Sequence, residues 1–372
     1  MLDPIIAFFV RVFSAIGRGL GMFVAWLFWP FLAAHGWYRR RSWVVRGPVL
    51  AILALLIVSY GYFIWQTQVW TNFNPNLIDN YALAQRKAPA GAELPTVEGQ
   101  AKTCQRSTVV DVAADLTDFN VNQNAWISSM LLYRLGFFGI DWDHTPFLDN
   151  KASFQRGVNQ AVRRTSVELV DALGRMRGTS SINNNLQDAR GNIQFDEFSW
   201  YFGLQPFGPK TPTPSYYRAA IKSLRAFNGE LASCAAIFDG RADNLLEFVD
   251  RIANDLGNTA SILRDRSENY NGGWFDTRAD DRFWFAYGQL YAYYGILVGT
   301  RSDFAAVIAE RNLTALWTRM EANLRASLNV QPWIISNGNE SSAFFPSHLA
   351  TMGFNLLQVR SNLVELRGVL DR

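Results

Sequence analysis

The acidic residues that stand closest to aromatic ones are the first place to look for chemistry. Asp276, Asp280 and Asp281 follow Trp274 and Phe275 and flank Arg278. Glycoside cleavage needs two carboxylates about 5–10 Å apart, and a neighbouring ring can stack on a sugar. Glu268 and Glu340 are further acids that a fold could bring to such a pair. If the chain is an enzyme, Asp276 and Glu340 beside Trp274 are its expected catalytic residues. If it is not, this loop is a solvated one that caps the next helix. Trp200, Tyr201, Trp274 and Phe275 are the expected ligand-contacting aromatics. Asp141, Asp143 and His144 also cluster, but their spacing fits no metal signature. They read as a polar loop with helix-capping aspartates, and no metal or cofactor is expected.

Cys104 and Cys234 are the only thiols, which excludes a disulfide-rich scaffold and a four-cysteine zinc site. Outside the cytoplasm they are free to bridge, tying the start of the globular part to a helix in its middle; two unpaired thiols are the alternative. The chain has no phosphate loop, no dinucleotide fingerprint, and neither the zinc-protease nor the serine-hydrolase motif.

The elements that must hold these residues fall into two unlike parts. Residues 1–70 carry six Arg and one Asp, so the net charge of +3 arises there and the remainder is slightly acidic. A near-neutral remainder without a basic stripe argues against nucleic-acid binding. From Gly47 to Ile78 no residue is charged. About 20 apolar helical residues cross a ~30 Å hydrocarbon layer, so residues 47–70 are predicted to be a transmembrane helix. Tyr60, Tyr62, Trp65 and Trp70 sit at one end, where an aromatic belt belongs. Arg39, Arg40, Arg41 and Arg46 precede the span and set its orientation. The positive-inside rule places them in the cytoplasm and residues beyond about 70 on the other side. Residues 1–46 are apolar but punctuated by Arg11, Gly17, Arg18, Gly19, Gly21 and Pro30. Residues 19–38 either span as well or lie in the headgroup plane, and the interfacial reading is favoured.

Residues 71–101, with their Pro, Ala and Gly, read as a linker. Residues 102–372 then read as an all-α, bundle-like domain of roughly eight to ten helices. Apolar residues recur at helical spacing along Val158–Leu173 and Leu245–Leu263. Leu349, Met352, Leu356, Val359, Leu363, Leu366 and Leu370 alternate by three and four. That stripe is expected to pack within the chain, with a coiled-coil oligomer as the alternative. Residues 283–299 are uncharged and rich in Tyr, and read as a central core helix; an aromatic groove or membrane-docking face is the alternative. Residues 177–213, 268–281 and 330–346 are expected loops; Ser302-Asp303 and Ser347 are expected to start helices, and Gly299 to follow the end of one.

Two stretches, Leu135 to Asp143 (LGFFGIDWD) and Phe147 to Gly157 (FLDNKASFQRG), resemble a bacterial family classed as a domain of unknown function. The aromatic segment Phe195 to Pro206 is similar in character. The resemblance runs from the anchor to the C-terminus. It implies a Gram-negative inner-membrane protein with a periplasmic domain, and it carries no activity or catalytic residue. The expected function is a membrane-anchored scaffold that docks a protein partner in the envelope. A periplasmic hydrolase or lyase acting on cell-wall glycan, or a lipid- or small-ligand-binding domain, are the alternatives.

Overall fold

A computed structural model describes residues 3–81, 83, 86, 88–95, 101–145, 147–175, 182–204, 206–339, 341–342 and 344–372. These form two compact units, Met1–Tyr62 and Phe63–Arg372. The described residues hold twelve α-helices and one two-stranded hairpin, so the fold class is all-α.

The first unit holds α1 (Asp3–Arg39) and most of α2 (Trp43–Gln68). Phe13–Arg39 and Trp43–Gln68 are both long and apolar enough to cross a membrane. α1 runs unbroken through Pro30, because a proline removes one helical hydrogen bond without obliging the chain to turn. Its length therefore serves a span as well as an interfacial helix. Arg39, Arg40, Arg41 and Arg46 surround the turn between the helices. Arg46 Nε donates to Tyr38 O at 3.1 Å, and the Arg41 guanidinium lies 5.1 Å from the Trp37 ring.

In the second unit, α3 (Thr108–Asp118), α4 (Leu131–Leu135), α5 (Asn150–Glu168), α6 (Asn184–Ile193) and α7 (Thr213–Ala232) are followed by α8 (Ala242–Asn269), α9 (Ala279–Asp303), α10 (Ala305–Glu310), α11 (Thr314–Leu328) and α12 (His348–Leu370). The hairpin β1 (Phe202–Leu204) and β2 (Phe207–Pro209) precedes α7. α9 is the hub. Phe283, Tyr287, Leu290, Tyr293 and Leu297 are all fully buried, and each such side chain contributes roughly 1.5–3 kcal/mol of burial. Asp255 of α8 is the polar knot. It accepts from Gln289 Nε2 at 2.6 Å, Tyr293 OH at 2.6 Å and Gln160 Nε2 at 3.0 Å, which joins α5, α8 and α9.

The helices alternate in direction. α5 lies beside α9 and runs the same way, since Ser153 Oγ donates to Asp281 at 2.6 Å and Gly157 abuts Phe285 and Gln289. α3 runs against α9, with Thr108 and Val109 at Gly299 and Val112 at Gly295. α7 runs against α3, with Arg218 Nη2 on Val121 O at 3.1 Å and Asn228 on Ser107 at 2.8 Å. α11 runs against α9 and α12 runs against α8, where Ser267 and Ser347 hydroxyls meet at 2.9 Å. One end of the bundle therefore collects the starts of α5, α7, α9 and α12. The last turn of α2 enters that same end. Phe63 is fully buried with its ring 4.9 Å from that of Trp142, and Lys151 Nζ caps the carbonyls of Gln66 and Val69 at 3.0 and 2.6 Å.

Several expectations need correcting. Among the described residues of 71–101, Phe73, Leu77, Ile78, Tyr81 and Leu83 pack on the core and Ala90 is buried, so that part is not a free spacer. Residues 177–213 contain α6 and the hairpin. Gly299, expected at a helix end, sits inside α9, where a side chain would strike the start of α3. Ser302-Asp303, expected to start a helix, ends α9. The leucine stripe of α12 does pack within the chain, as expected: it is buried at every position, largely against α8. Cys104 and Cys234 form a disulfide with Cα atoms 5.3 Å apart across 130 residues, a closure worth about 2–5 kcal/mol.

Candidate functional site

Because α5 and α9 start side by side, each brings its first acids to the end of the bundle that the last turn of α2 enters. Asp149 precedes α5, and Asp280 and Asp281 fill the first turn of α9. Asp143 joins them from the short turn Trp142–His144, which is pinned by Trp142 Nε1 on Leu132 O at 2.7 Å. One carboxylate oxygen from each of Asp143, Asp149 and Asp281 lies within 4.8 Å of the other two. Ser153 Oγ donates to Asp281, and Tyr133 OH donates to Asp143 at 3.1 Å. Asp149 is fully buried, and beyond its own backbone N–H its carboxyl faces the carboxyl of Asp281.

Burial, and then the charges of Asp281 and Asp280, push the Asp149 carboxyl far above the usual carboxylate range. Burial, followed by the Asp281 charge, raises Asp280 to about 8. Burial also raises Asp281, against the pull of its Ser153 bond. Two states relieve such crowding. Either Asp149 keeps a proton, or the three oxygens hold a hard divalent cation, for which their separation and chemistry are suitable.

The protonated state has a sign that can be checked. A carboxyl with a raised folded pKa binds more protons folded than unfolded, so stability is full below the unfolded pKa and falls as pH rises toward the folded one. Asp149→Asn keeps the shape and removes this loss. In the presence of a chelator, wild type should melt lower at about pH 8 than at about pH 5, and the variant should be about 1–3 kcal/mol more stable than wild type at the higher pH. Thermal unfolding of the full chain in mild detergent reads both. A variant weaker than wild type at the higher pH would contradict a protonated Asp149.

A cleft of about 310 Å³ opens beside the acids, lined by Asp143, Ser153, Arg156, Phe198, Arg278 and Asp281 among others. Arg156 Nη2 donates to Ser153 Oγ at 2.9 Å, and its guanidinium lies 5.9 Å from the Phe198 ring. The Nε atoms of Arg156 and Arg278 are buried and have no acceptor. With Arg282, these two side chains bring three guanidinium groups to the cleft, beside the carboxylates of Asp143, Glu197 and Asp281, so the cleft presents charge of both signs.

The residues expected from the sequence are distributed differently. Asp276 is buried, and its carboxylate is taken by Arg266 Nε at 3.0 Å, Asn337 Nδ2 at 2.8 Å and Arg278 N at 3.2 Å. It clamps two loops together and has no oxygen left for a substrate. Glu340 lies outside the described residues. Glu268 pairs with Arg264 on the exposed side of α8. Trp274 and Phe275 are exposed, Trp274 packing on Phe345 at 5.2 Å. Trp200 and Tyr201 sit edge to face at 6.2 Å before the hairpin. His144 and Asp141 are exposed. Residues 283–299 lie within α9 and most of them are buried in the core. Sequence reasoning weighed Asp143 and Asp281 in separate clusters and did not single out Asp149, Arg156 or the role of Arg278. The available signal was a glycine about two turns after each aspartate, Gly157 after Asp149 and Gly288 after Asp281, where helices can touch.

No curated protein and no solved structure matches the chain. Residues 43–271 match the family model described as an uncharacterized protein conserved in bacteria (DUF2333). That match covers α2 and every helix from α3 to α8, including Asp143, Asp149 and Arg156. It spans more than half of the 372 residues, and the chain is a member of the DUF2333 family.

Proposed function

We propose that the chain is an inner-membrane envelope protein that carries its helical domain in the periplasm and docks a partner protein there, through the charged cleft at the anchored end. The Arg-rich turn before α2 supports this orientation by the positive-inside rule, and the Cys104–Cys234 bridge suits an oxidising compartment. One observation carries the docking reading: three guanidinium groups, those of Arg156, Arg278 and Arg282, line one cleft. The fitting partner segment presents a carboxylate or phosphate to them.

A photo-crosslinking residue at Phe198, on the rim of the cleft, tests this in growing cells. The expected result is one discrete crosslinked protein, reduced about ten-fold or more when Arg278→Glu reverses the charge it meets. Recovery of the monomer alone, or a crosslink indifferent to Arg278→Glu, would refute docking at this cleft. The second reading, a hydrolase or lyase acting on cell-wall glycan, draws on the convergence of Asp143, Asp149 and Asp281 rather than on Asp276.

A further inference from the structure

The exposed apolar side chains of the second unit are unevenly placed. The loops at the anchored end lie between α3 and α5, before α7, between α8 and α9, and between α11 and α12. Each of these four loops exposes large apolar residues: Phe138 and Ile140 in the first, Phe207 in the second, Phe275 in the third, Trp333 and Phe344 in the fourth. Phe138, Phe207, Phe275, Trp333 and Phe344 are each more than two-thirds exposed, and Trp333 reaches 94 %. Among the described residues, the loops of the far end expose one large apolar side chain, Ile237. Core packing does not explain this asymmetry, since side chains this exposed bury little within the domain; Phe138 and Phe207 each touch one neighbouring ring, Phe137 and Phe202, at 5.0 Å.

These loops are also built rather than slack. Phe137 and Ile140 exchange backbone hydrogen bonds at 2.7 and 3.1 Å, closing a turn with Phe138 at its tip. The third and fourth loops are bridged between Gly273 and Asn337, and Asn337 Nδ2 also holds Arg266 O, Tyr270 O and Asp276. The turn at Phe138 stands next to the last apolar turn of α2, because Trp142 packs on Phe63 and Gln68 Nε2 donates to Phe147 O at 2.9 Å. Exposed Arg134 and Arg282 stand among these loops, where they can meet lipid phosphates.

We propose that the anchored end of the bundle is a lipid-embedded face: the four loops seat Phe138, Ile140, Phe207, Phe275, Trp333 and Phe344 in the bilayer surface from which α2 emerges. The occupant is the membrane because the surface is continuous with the exposed apolar turn of α2 that ends in Trp65. The proposal rests on α2 being a membrane anchor. It fixes the domain against the membrane and turns the charged cleft toward the headgroup layer.

Depth-dependent quenching separates the two ideas. The full chain carries an environment-sensitive dye at one introduced cysteine, the native pair being oxidised. It is reconstituted in phosphatidylethanolamine–phosphatidylglycerol vesicles containing a lipid with a nitroxide near the top of its acyl chain. Val58→Cys reports the anchor, Phe138→Cys, Phe275→Cys and Trp333→Cys the loops, and Glu310→Cys the far end. Quenching of about two-fold or more is expected at the anchor and at the three loop positions, with none at Glu310→Cys. If Val58→Cys is quenched while the loop positions behave like Glu310→Cys, the anchor stands and the lipid face is refuted. If Val58→Cys is unquenched, the anchor fails and the face fails with it. Unquenched loop positions that crosslink to a protein in native membranes would give the surface to a protein instead.

Discussion

Asp303→Ala should cost about 3–5 kcal/mol and leave much of the chain unfolded near ambient temperature, because it orphans several buried groups at once. Asp303 is the last residue of α9 and is fully buried. Its carboxylate accepts from Ser107 Oγ at 2.6 Å, Thr108 N at 2.8 Å and Val109 N at 2.9 Å, which places a negative charge on the start of α3. Arg86 Nη1 closes the set at 3.0 Å; it belongs to the strap formed by the described residues of 71–101, which precede α3. Burial still holds the carboxyl above its usual range, in spite of Arg86 and these donors. Truncation to Ala leaves the Arg86 cation and the helix N–H groups without an acceptor. Asp303→Asn keeps the shape and one acceptor oxygen, and should cost about half as much. The urea midpoint of helical circular dichroism, measured on the full chain in mild detergent, orders the three proteins. A midpoint for Asp303→Ala within about 1 kcal/mol of wild type would show that the strap and α3 do not depend on this residue.

The same residue shows why part of the fold was legible and part was not. Ser302-Asp303 has the composition of a helix start, and it is used at one, but at the start of α3, nearly two hundred residues earlier in the chain. Local sequence announces a capping group without saying which helix it caps. Where one face of one helix carries the information, the reading transferred well. Leu245, Val249, Ile252, Leu256, Ala260 and Leu263 are all buried in α8, and Ser347 caps α12 by accepting from Ala350 N at 3.2 Å. α6 was hidden because its ten residues bury only Leu186, Ala189 and Ile193 within an Asn- and Gly-rich stretch, too few for a visible period. The strap was hidden because its anchoring bonds run to Asp303 and the core, not within itself. The candidate site is the extreme case. Asp149 and Asp281 lie on separate segments that the parallel packing of α5 on α9 brings together, and Asp143 joins them from the turn that Trp142 pins.

That packing makes a second prediction with a large effect. The α5–α9 contact is backbone against backbone. A Cβ at Gly157 would lie 2.0 Å from Phe285 O, and one at Gly288 would lie 2.2 Å from Phe154 O. Neither obstacle is a side chain that can swing aside, so even Gly157→Ala must part the helices, although alanine raises intrinsic helix propensity by about 1 kcal/mol. The expected net cost is about 1–3 kcal/mol for Gly157→Ala and more for Gly157→Leu, read from the same urea midpoint. The contact lies about two turns below the acids, so parting the helices should also loosen the Asp149–Asp281 cluster and return Asp149 toward an ordinary carboxylate. Gly157→Ala should therefore flatten the fall in melting temperature between about pH 5 and pH 8, in the same direction as Asp149→Asn but from a residue with no titratable group. A destabilised Gly157→Ala that keeps the wild-type pH dependence would show that the acids are held by their own loops. A Gly157→Ala as stable as wild type would mean that the two helices are not in backbone contact.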